Sequence, residues 1–162
     1  MMRTETLLKL AGIAAIAGGA IRIANTFMTR MFDAHTLALT YLLTDVFLLL
    51  GLIGWYASRA GKLGTSGVVG FTAAVVGILM IRSAELFPGY GYLAGATVLL
   101  AGLVVMSMRT LLRRDGALLP PLLWLLSFAC AIASIAVTPL SILSAAFFGA
   151  GFICAGIQLL RA

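Results

Sequence analysis

The sequence predicts an all-α membrane protein, a bundle of six transmembrane helices, and three observations carry that prediction. Of 162 residues, 62% are hydrophobic and 10% charged, a composition far from that of soluble domains. The apolar residues gather in six runs, each near the roughly 20 residues that a helix needs to cross about 30 Å of hydrocarbon. The runs also lack the alternating period of a β-barrel, the other structure that satisfies its backbone in lipid. Six spans use most of the chain, so residues 1–162 read as one polytopic domain with no soluble module.

The first span covers about 6–27. A signal peptide is its rival reading: Arg3 and Lys9 precede an apolar stretch, and Ala17-Gly18-Gly19-Ala20 offers small residues for cleavage. Cleavage would start the mature chain close to Arg22, and an uncleaved span is preferred. The second span covers 37–57 and the third 67–87, where Phe87-Pro88-Gly89-Tyr90 turns the chain into the fourth, 90–108. Leu119-Pro120-Pro121 opens the fifth, 119–137. Thr138-Pro139 opens the sixth, 139–160, with Thr138 as N-cap and Pro139 at the first helical position. The longest connections are 60–66 and 110–118, short enough to make sequential helices antiparallel neighbours.

The net charge of +6 records orientation. With six spans, Arg3, Lys9, Arg59, Lys62, Arg109, Arg113, Arg114 and Arg161 fall on one side, and the opposite loops hold Arg30. The positive-inside rule then predicts an inner-membrane protein with both termini in the cytoplasm. The basic loop after span 4 can meet anionic lipid heads, at about 1 kcal/mol per residue. Nucleic-acid binding is not expected, because these charges mark loops and form no reading surface.

Small residues recur at four-residue intervals, as in Ala11/Ala15, Ala73/Gly77, Gly91/Gly95 and Ala145/Gly149. Such spacing lets helices approach closely in lipid. It serves packing within one bundle, or else a face such as Gly149, Gly151 and Ala155 docks a second copy or a partner membrane protein. The two halves show no inverted repeat of the transporter kind.

The stretch Asp45-Val46-Phe47-Leu48-Leu49-Leu50-Gly51-Leu52-Ile53-Gly54-Trp55-Tyr56-Ala57, followed by Gly61-Lys62-Leu63-Gly64 and the glycines of 67–77, resembles small polytopic membrane proteins of bacteria that have no established activity. The resemblance covers spans 2 and 3. It implies the same membrane class and brings no function.

Four ionisable residues lie inside the spans: Arg22, Asp45, Arg82 and Glu85. A charge at the centre of a membrane helix costs roughly 2.5–3.5 kcal/mol on insertion scales, so each needs a reason. At 1.5 Å per residue, Arg22 and Arg82 fall about 8 Å, Asp45 about 12 Å and Glu85 about 3 Å below the outer ends of their spans. Opposite charges at similar depth on neighbouring helices are expected to pair. Arg22, Asn25, Thr26 and Thr29 share one face of span 1; Tyr41, Thr44 and Asp45 share one of span 2; Arg82 and Glu85 are i, i+3 on span 3. Together they predict a polar recess of spans 1–3, open to the outside, with Arg22, Asn25, Tyr41, Thr44, Asp45, Arg82 and Glu85 as its residues.

Three readings of this cluster stay open: an ion-pair network that only fixes helix register, a binding site for a small polar solute or ion, and an acid–base site. In the second, Arg22 or Arg82 holds a carboxylate or phosphate and Asp45 an amine, proton or cation. In the first, the protein is an accessory or scaffold subunit of a membrane complex.

Met28, Met31 and His35 would share a face if span 1 continued as a helix, and two thioethers with an imidazole suit Cu(I). The competing reading is two gap-filling methionines and a solvated histidine. Cys130 and Cys154 read as small core residues without a disulfide. No nucleophile elbow, zinc-protease motif or aspartate pair is present, and the single histidine cannot provide bis-His haem ligation. No cofactor is expected, and the enzymatic reading is the weakest of the three. A cysteine introduced at Gly64 is therefore expected to resist membrane-impermeant label in intact cells; labelling from outside would reverse the orientation.

Overall fold

The computed structural model describes residues 4–28, 32–83, 91–113 and 118–161. Among them the chain forms six α-helices and no strand: α1 (Thr4–Met28), α2 (Ala34–Ala57), α3 (Ala60–Arg82), α4 (Gly91–Arg113), α5 (Leu119–Ala133) and α6 (Leu140–Leu160). All but α5 are long and apolar enough to cross a membrane. Their outward faces expose Leu10, Ile13, Leu43, Val69, Leu79 and Leu93. In lipid such side chains gain nothing by hiding, so the exterior stays apolar.

Several helix boundaries differ from expectation, α4 among them, which runs to Arg113 rather than 108; three others have local causes. The fifth span was expected to reach residue 137, yet α5 ends at Ala133 after 15 residues. Residues 135–137 turn on i→i−3 or frayed bonds such as Ile135 N–H to Ile132 C=O, 3.2 Å. Pro139 disfavours helix at the residue before it, and β-branched Ile135, Val137 and Thr138 add to the effect. α6 begins one residue later than expected, with Pro139 rather than Thr138 at the N-cap. The Thr138 carbonyl, not its hydroxyl, serves the helix start, accepting from the Ser141 N–H at 3.1 Å and the Ser141 hydroxyl at 2.8 Å. α3 starts at Ala60 rather than 67 and is interrupted at Gly64. There φ is +62°, a left-handed conformation that only glycine adopts freely.

Neighbouring helices run antiparallel and close a ring in the order α2, α1, α6, α5, α4, α3. Two seams in that ring bring backbone onto backbone. Along α1 and α6, Gly12 faces Gly156 and Gly19 faces Gly149; a Cβ on Gly19 would lie 2.5 Å from the Gly149 carbonyl oxygen, and one on Gly149 2.6 Å from that of Gly19. Along α3 and α4, Gly70 faces Gly102 and Gly77 faces Gly95, and a Cβ on Gly77 would lie 2.7 Å from the Gly95 carbonyl oxygen. Both seams repeat at seven residues, two helical turns, which keeps the glycines on one stripe. α1 also meets α2 closely, with Ala15 against Gly51 and Ala11 against Gly54.

Gly149, Gly151 and Ala155 are thus occupied within the bundle. Gly149 lies on Gly19, Gly151 lies against the Trp124 ring, and Ala155 is 1% exposed. That face holds the chain together and is not available to a second subunit.

The densest core fills the half of the bundle nearer the termini. Trp55 and Trp124 meet edge to face at 5.1 Å, Trp124 meets Phe152 at 5.2 Å, and Phe152 meets Phe148 at 5.1 Å. Such pairs add about 0.5–1.5 kcal/mol beyond burial. Arg59 closes this end: its guanidinium sits 4.6 Å from the Trp55 ring centroid and donates to Gln158 Oε1 at 2.9 Å. By contrast, α2 and α3 touch sparingly; Tyr56 stacks on Phe71 at 4.4 Å.

Gly77→Val should part α3 from α4 and lower stability by about 1–3 kcal/mol, the usual cost of overpacking. Gly61→Val, at a position where a Cβ meets nothing within 4 Å, should leave the thermal unfolding of the detergent-solubilised protein nearly unchanged. Gly61 is also a less strained place than Gly64 for a topology cysteine.

Candidate functional site: a polar cavity closed by an aromatic floor

The half of the bundle away from the termini holds a partly open cavity of about 720 Å³. Its lining comes from all six helices: Arg22 of α1; Tyr41, Thr44 and Asp45 of α2; Arg82 of α3; Tyr92 and Leu99 of α4; Ser127 and Ser134 of α5; Ser141, Ser144 and Phe148 of α6. The expected recess of spans 1–3 is therefore one side of a larger chamber, because the ring places α4, α5 and α6 opposite them. Leu48, Leu99 and Phe148 line its deep side, and below Phe148 lie the rings of Phe152 and Trp124.

Arg82 donates through Nε to Asp45 Oδ2 and so ties α3 to α2. The Asp45 side chain is 17% exposed and that of Arg82 33%, so the pair sits at the cavity surface with partial access to what fills it. Arg82 occupies the last turn of α3, where the free carbonyls of the helix C-terminus favour a cation. Its guanidinium thus meets two sources of negative potential.

Arg22 differs. Among the described residues its side chain makes no hydrogen bond and no ion pair, although its charge acts on the Asp45 carboxylate through space. Its carbonyl accepts from the Thr26 hydroxyl at 3.3 Å.

Asn25 is fully buried behind this wall and does not line the cavity. Its Nδ2 donates to Thr44 Oγ1 at 3.2 Å, while Thr44 spends its own proton on the Thr40 carbonyl at 2.6 Å. A hydroxyl has one proton to give, so Asn25 must be the donor and its amide orientation is fixed. Asn25 Oδ1 is left without a partner among the described residues, a cost of about 1–3 kcal/mol.

Five of the seven residues expected at the site, Arg22, Tyr41, Thr44, Asp45 and Arg82, meet on the cavity; Asn25 supports it from behind. Glu85 lies outside the described residues, as do Thr29 and Met31. Of the expected face of Met28, Met31 and His35, Met31 lies outside the described residues, and Met28 and His35 are not on one continuous helix. α1 ends at Met28, and α2 begins after Asp33, whose extended backbone (φ −67°, ψ 161°) makes it an N-cap. The Asp33 carboxylate accepts from the N–H groups of His35 and Thr36, both at 3.1 Å, and from the Thr36 hydroxyl at 2.6 Å. The Thr36 hydroxyl, followed by those backbone groups, holds the carboxyl below its ordinary range. Met28 and His35 therefore belong to separate helices, α1 and α2.

Sequence reasoning missed the serines. Ser127 and Ser144 exchange reciprocal bonds, each hydroxyl donating to the other's carbonyl at 2.9 Å. Ser134 donates to the Ala131 carbonyl at 2.6 Å. The i, i+7 spacing of Ser127 and Ser134 and the i, i+3 spacing of Ser141 and Ser144 were the available signal. Cys130 and Cys154 are both free.

Comparison of the chain with protein-family models, with curated proteins and with solved structures finds no match. A double-mutant cycle of Asp45→Asn and Arg82→Gln should give a coupling of about 0.5–3 kcal/mol in unfolding free energy, as for groups in direct contact. Additive effects would mean that the pair does not hold α2 to α3.

Proposed function

We propose that this chain is a multi-pass protein of the cell inner membrane, with both termini in the cytoplasm, that binds a small polar solute or ion in the outward half of its bundle. Passage of that solute across the membrane is the natural extension of the role. The observation that carries the proposal is the cavity itself: about 720 Å³, with Arg22, Asp45 and Arg82 on its wall. Pockets of roughly 300–1,000 Å³ with a few convergent polar groups are the usual form of small-molecule sites. The aromatic stack beneath it supports access from one side at a time. Passage would then require the glycine-joined pair α3–α4 to move against α1, α2 and α6, and the sparse α2–α3 joint is where such movement is least opposed.

A second reading has its own support. Asp45 and Arg82 satisfy each other, as they would in an accessory subunit whose charges only hold helix register. Arg22 supports the first reading, because among the described residues it is a membrane-embedded cation without a hydrogen-bonded partner, for which a register network has no use.

Native mass spectrometry in a mild detergent, wild type beside Arg22→Gln, separates them. A discrete non-covalent adduct on the wild type that is absent from the variant is the expected result. A bare chain, or the same retained lipid or partner protein on both, would favour the accessory subunit.

A further inference from the structure

The donors and acceptors of the cavity are distributed unevenly, and this specifies its ligand more closely. On the α5–α6 side the serine protons are already committed to carbonyls: Ser127 to Ser144, Ser144 to Ser127, Ser134 to Ala131 and Ser141 to Thr138. Those hydroxyls already donate within the protein, so an anion would have to compete with these carbonyls for their protons. Thr44 has likewise spent its proton on Thr40. On the α1–α2 side, Arg22 has no hydrogen-bonded partner among the described residues, and a guanidinium offers five N–H donors in a planar fork suited to carboxylate or phosphate. The Tyr41 hydroxyl lines the same side. The described wall carries two guanidiniums against one carboxylate, a single net positive charge. The rest of the lining is mostly leucine and alanine, with Leu99 of α4 and Phe148 of α6 on its deep side.

Resting on the binding role proposed above, we infer that the cavity takes a monoanionic amphiphile: one carboxylate or phosphate group held by Arg22, with a short apolar body laid over Leu99 and Phe148. The head is placed at Arg22, the guanidinium with no hydrogen-bonded partner among the described residues, although Arg82 keeps N–H groups beyond the Nε it gives Asp45 and Tyr92 lies on α4; the tail is placed on Leu99 and Phe148, on the apolar deep side of the cavity. Either a soluble organic acid or the phosphodiester head of a membrane lipid has this chemistry.

The two tryptophans of the chain report on the tail. Trp55 and Trp124 are both fully buried, and Trp124 is linked to the cavity lining through Phe152 and Phe148. Bromine quenches indole fluorescence at short range, so 8-bromo-octanoate is the probe. It is titrated into the full chain in nanodiscs of zwitterionic lipid, beside 8-bromo-octanol and 8-bromo-octylammonium. Saturable quenching by the carboxylate, reversed by unlabelled octanoate and weakened about tenfold or more in Arg22→Gln, is expected from the loss of one charge-assisted contact. Arg22→Lys should restore part of the affinity. A disc containing phosphatidylglycerol brominated on its acyl chain is the second arm, and Arg22-dependent quenching there alone would assign the head to a lipid.

Quenching by the alcohol or the ammonium equal to that by the acid would overturn the anionic head while leaving a binding cavity in place. Equal affinity of Arg22→Gln and wild type would remove Arg22 as its anchor. No saturable quenching by any probe, with no adduct in the mass spectrum, would overturn the binding role as well. Arg22→Gln strands no partner among the described residues, so unlike Asp45→Asn it should fold as the wild type does; circular dichroism checks this.

Discussion

Close approach of helix backbones at glycine is the constraint on which the rest of this bundle depends. Lipid supplies no hydrophobic drive for helices to associate, so their cohesion comes from contact area and from how near two backbones can lie. Four glycine pairs, Gly12 with Gly156, Gly19 with Gly149, Gly70 with Gly102 and Gly77 with Gly95, provide that nearness in two seams. Each seam welds one antiparallel helix pair. With α2 held on α1 through Gly51 and Gly54, the ring resolves into a three-helix unit (α1, α2, α6) and a two-helix unit (α3, α4), with α5 between them.

Where the glycines stop, the polar chemistry begins. The α2–α3 joint has no glycine seam; its two ends are held instead by the Arg82–Asp45 pair and by the Tyr56–Phe71 stack. The cavity occupies the space left where the two units do not interlock. This arrangement explains why charged residues are tolerated there. Asp45 and Arg82 face each other across a joint, and Arg22 faces a chamber large enough to hold water, so none is exposed to hydrocarbon on all sides. The pair should not be counted as a large source of stability, since the cost of desolvating two ions offsets most of their attraction. Its effect is geometric, fixing which turn of α3 lies beside which turn of α2.

Much of this was legible from the residues. Run length and composition were enough for the helices. The polar side of the cavity followed from the i, i+3 and i, i+4 spacing of Tyr41, Thr44 and Asp45 on α2, because helical geometry converts spacing into a shared face, whereas among the described residues of the expected α1 face only Arg22 reaches the cavity. What escaped had physical causes that spacing does not report. The early end of α5 comes from a proline six residues beyond its last residue acting with β-branched neighbours, and apolar composition hides it. The break at Gly64 depends on one backbone angle among many glycines. The face of Met28, Met31 and His35 assumed a continuous helix, whereas Asp33 starts a new one by capping it. The serine wall was missed because ring order, not sequence order, brings α5 and α6 opposite α1, and the spacing of its serines marks a shared face without saying what that face meets.

The shortness of α5 has a consequence for the surrounding lipid. Fifteen residues rise about 22 Å, against about 30 Å for a typical hydrocarbon core. The connection that follows carries Ile135, 88% exposed, and Val137, 51% exposed. On one flank, then, the protein offers the bilayer a shorter apolar wall than its other five helices do. A membrane meets such a mismatch by thinning locally, at a fraction of a kcal/mol per ångström. Because Ser127 and Ser134 of the cavity wall stand on this same helix, membrane thickness and cavity shape are mechanically linked: a thicker bilayer pulls on the one helix least able to fill it.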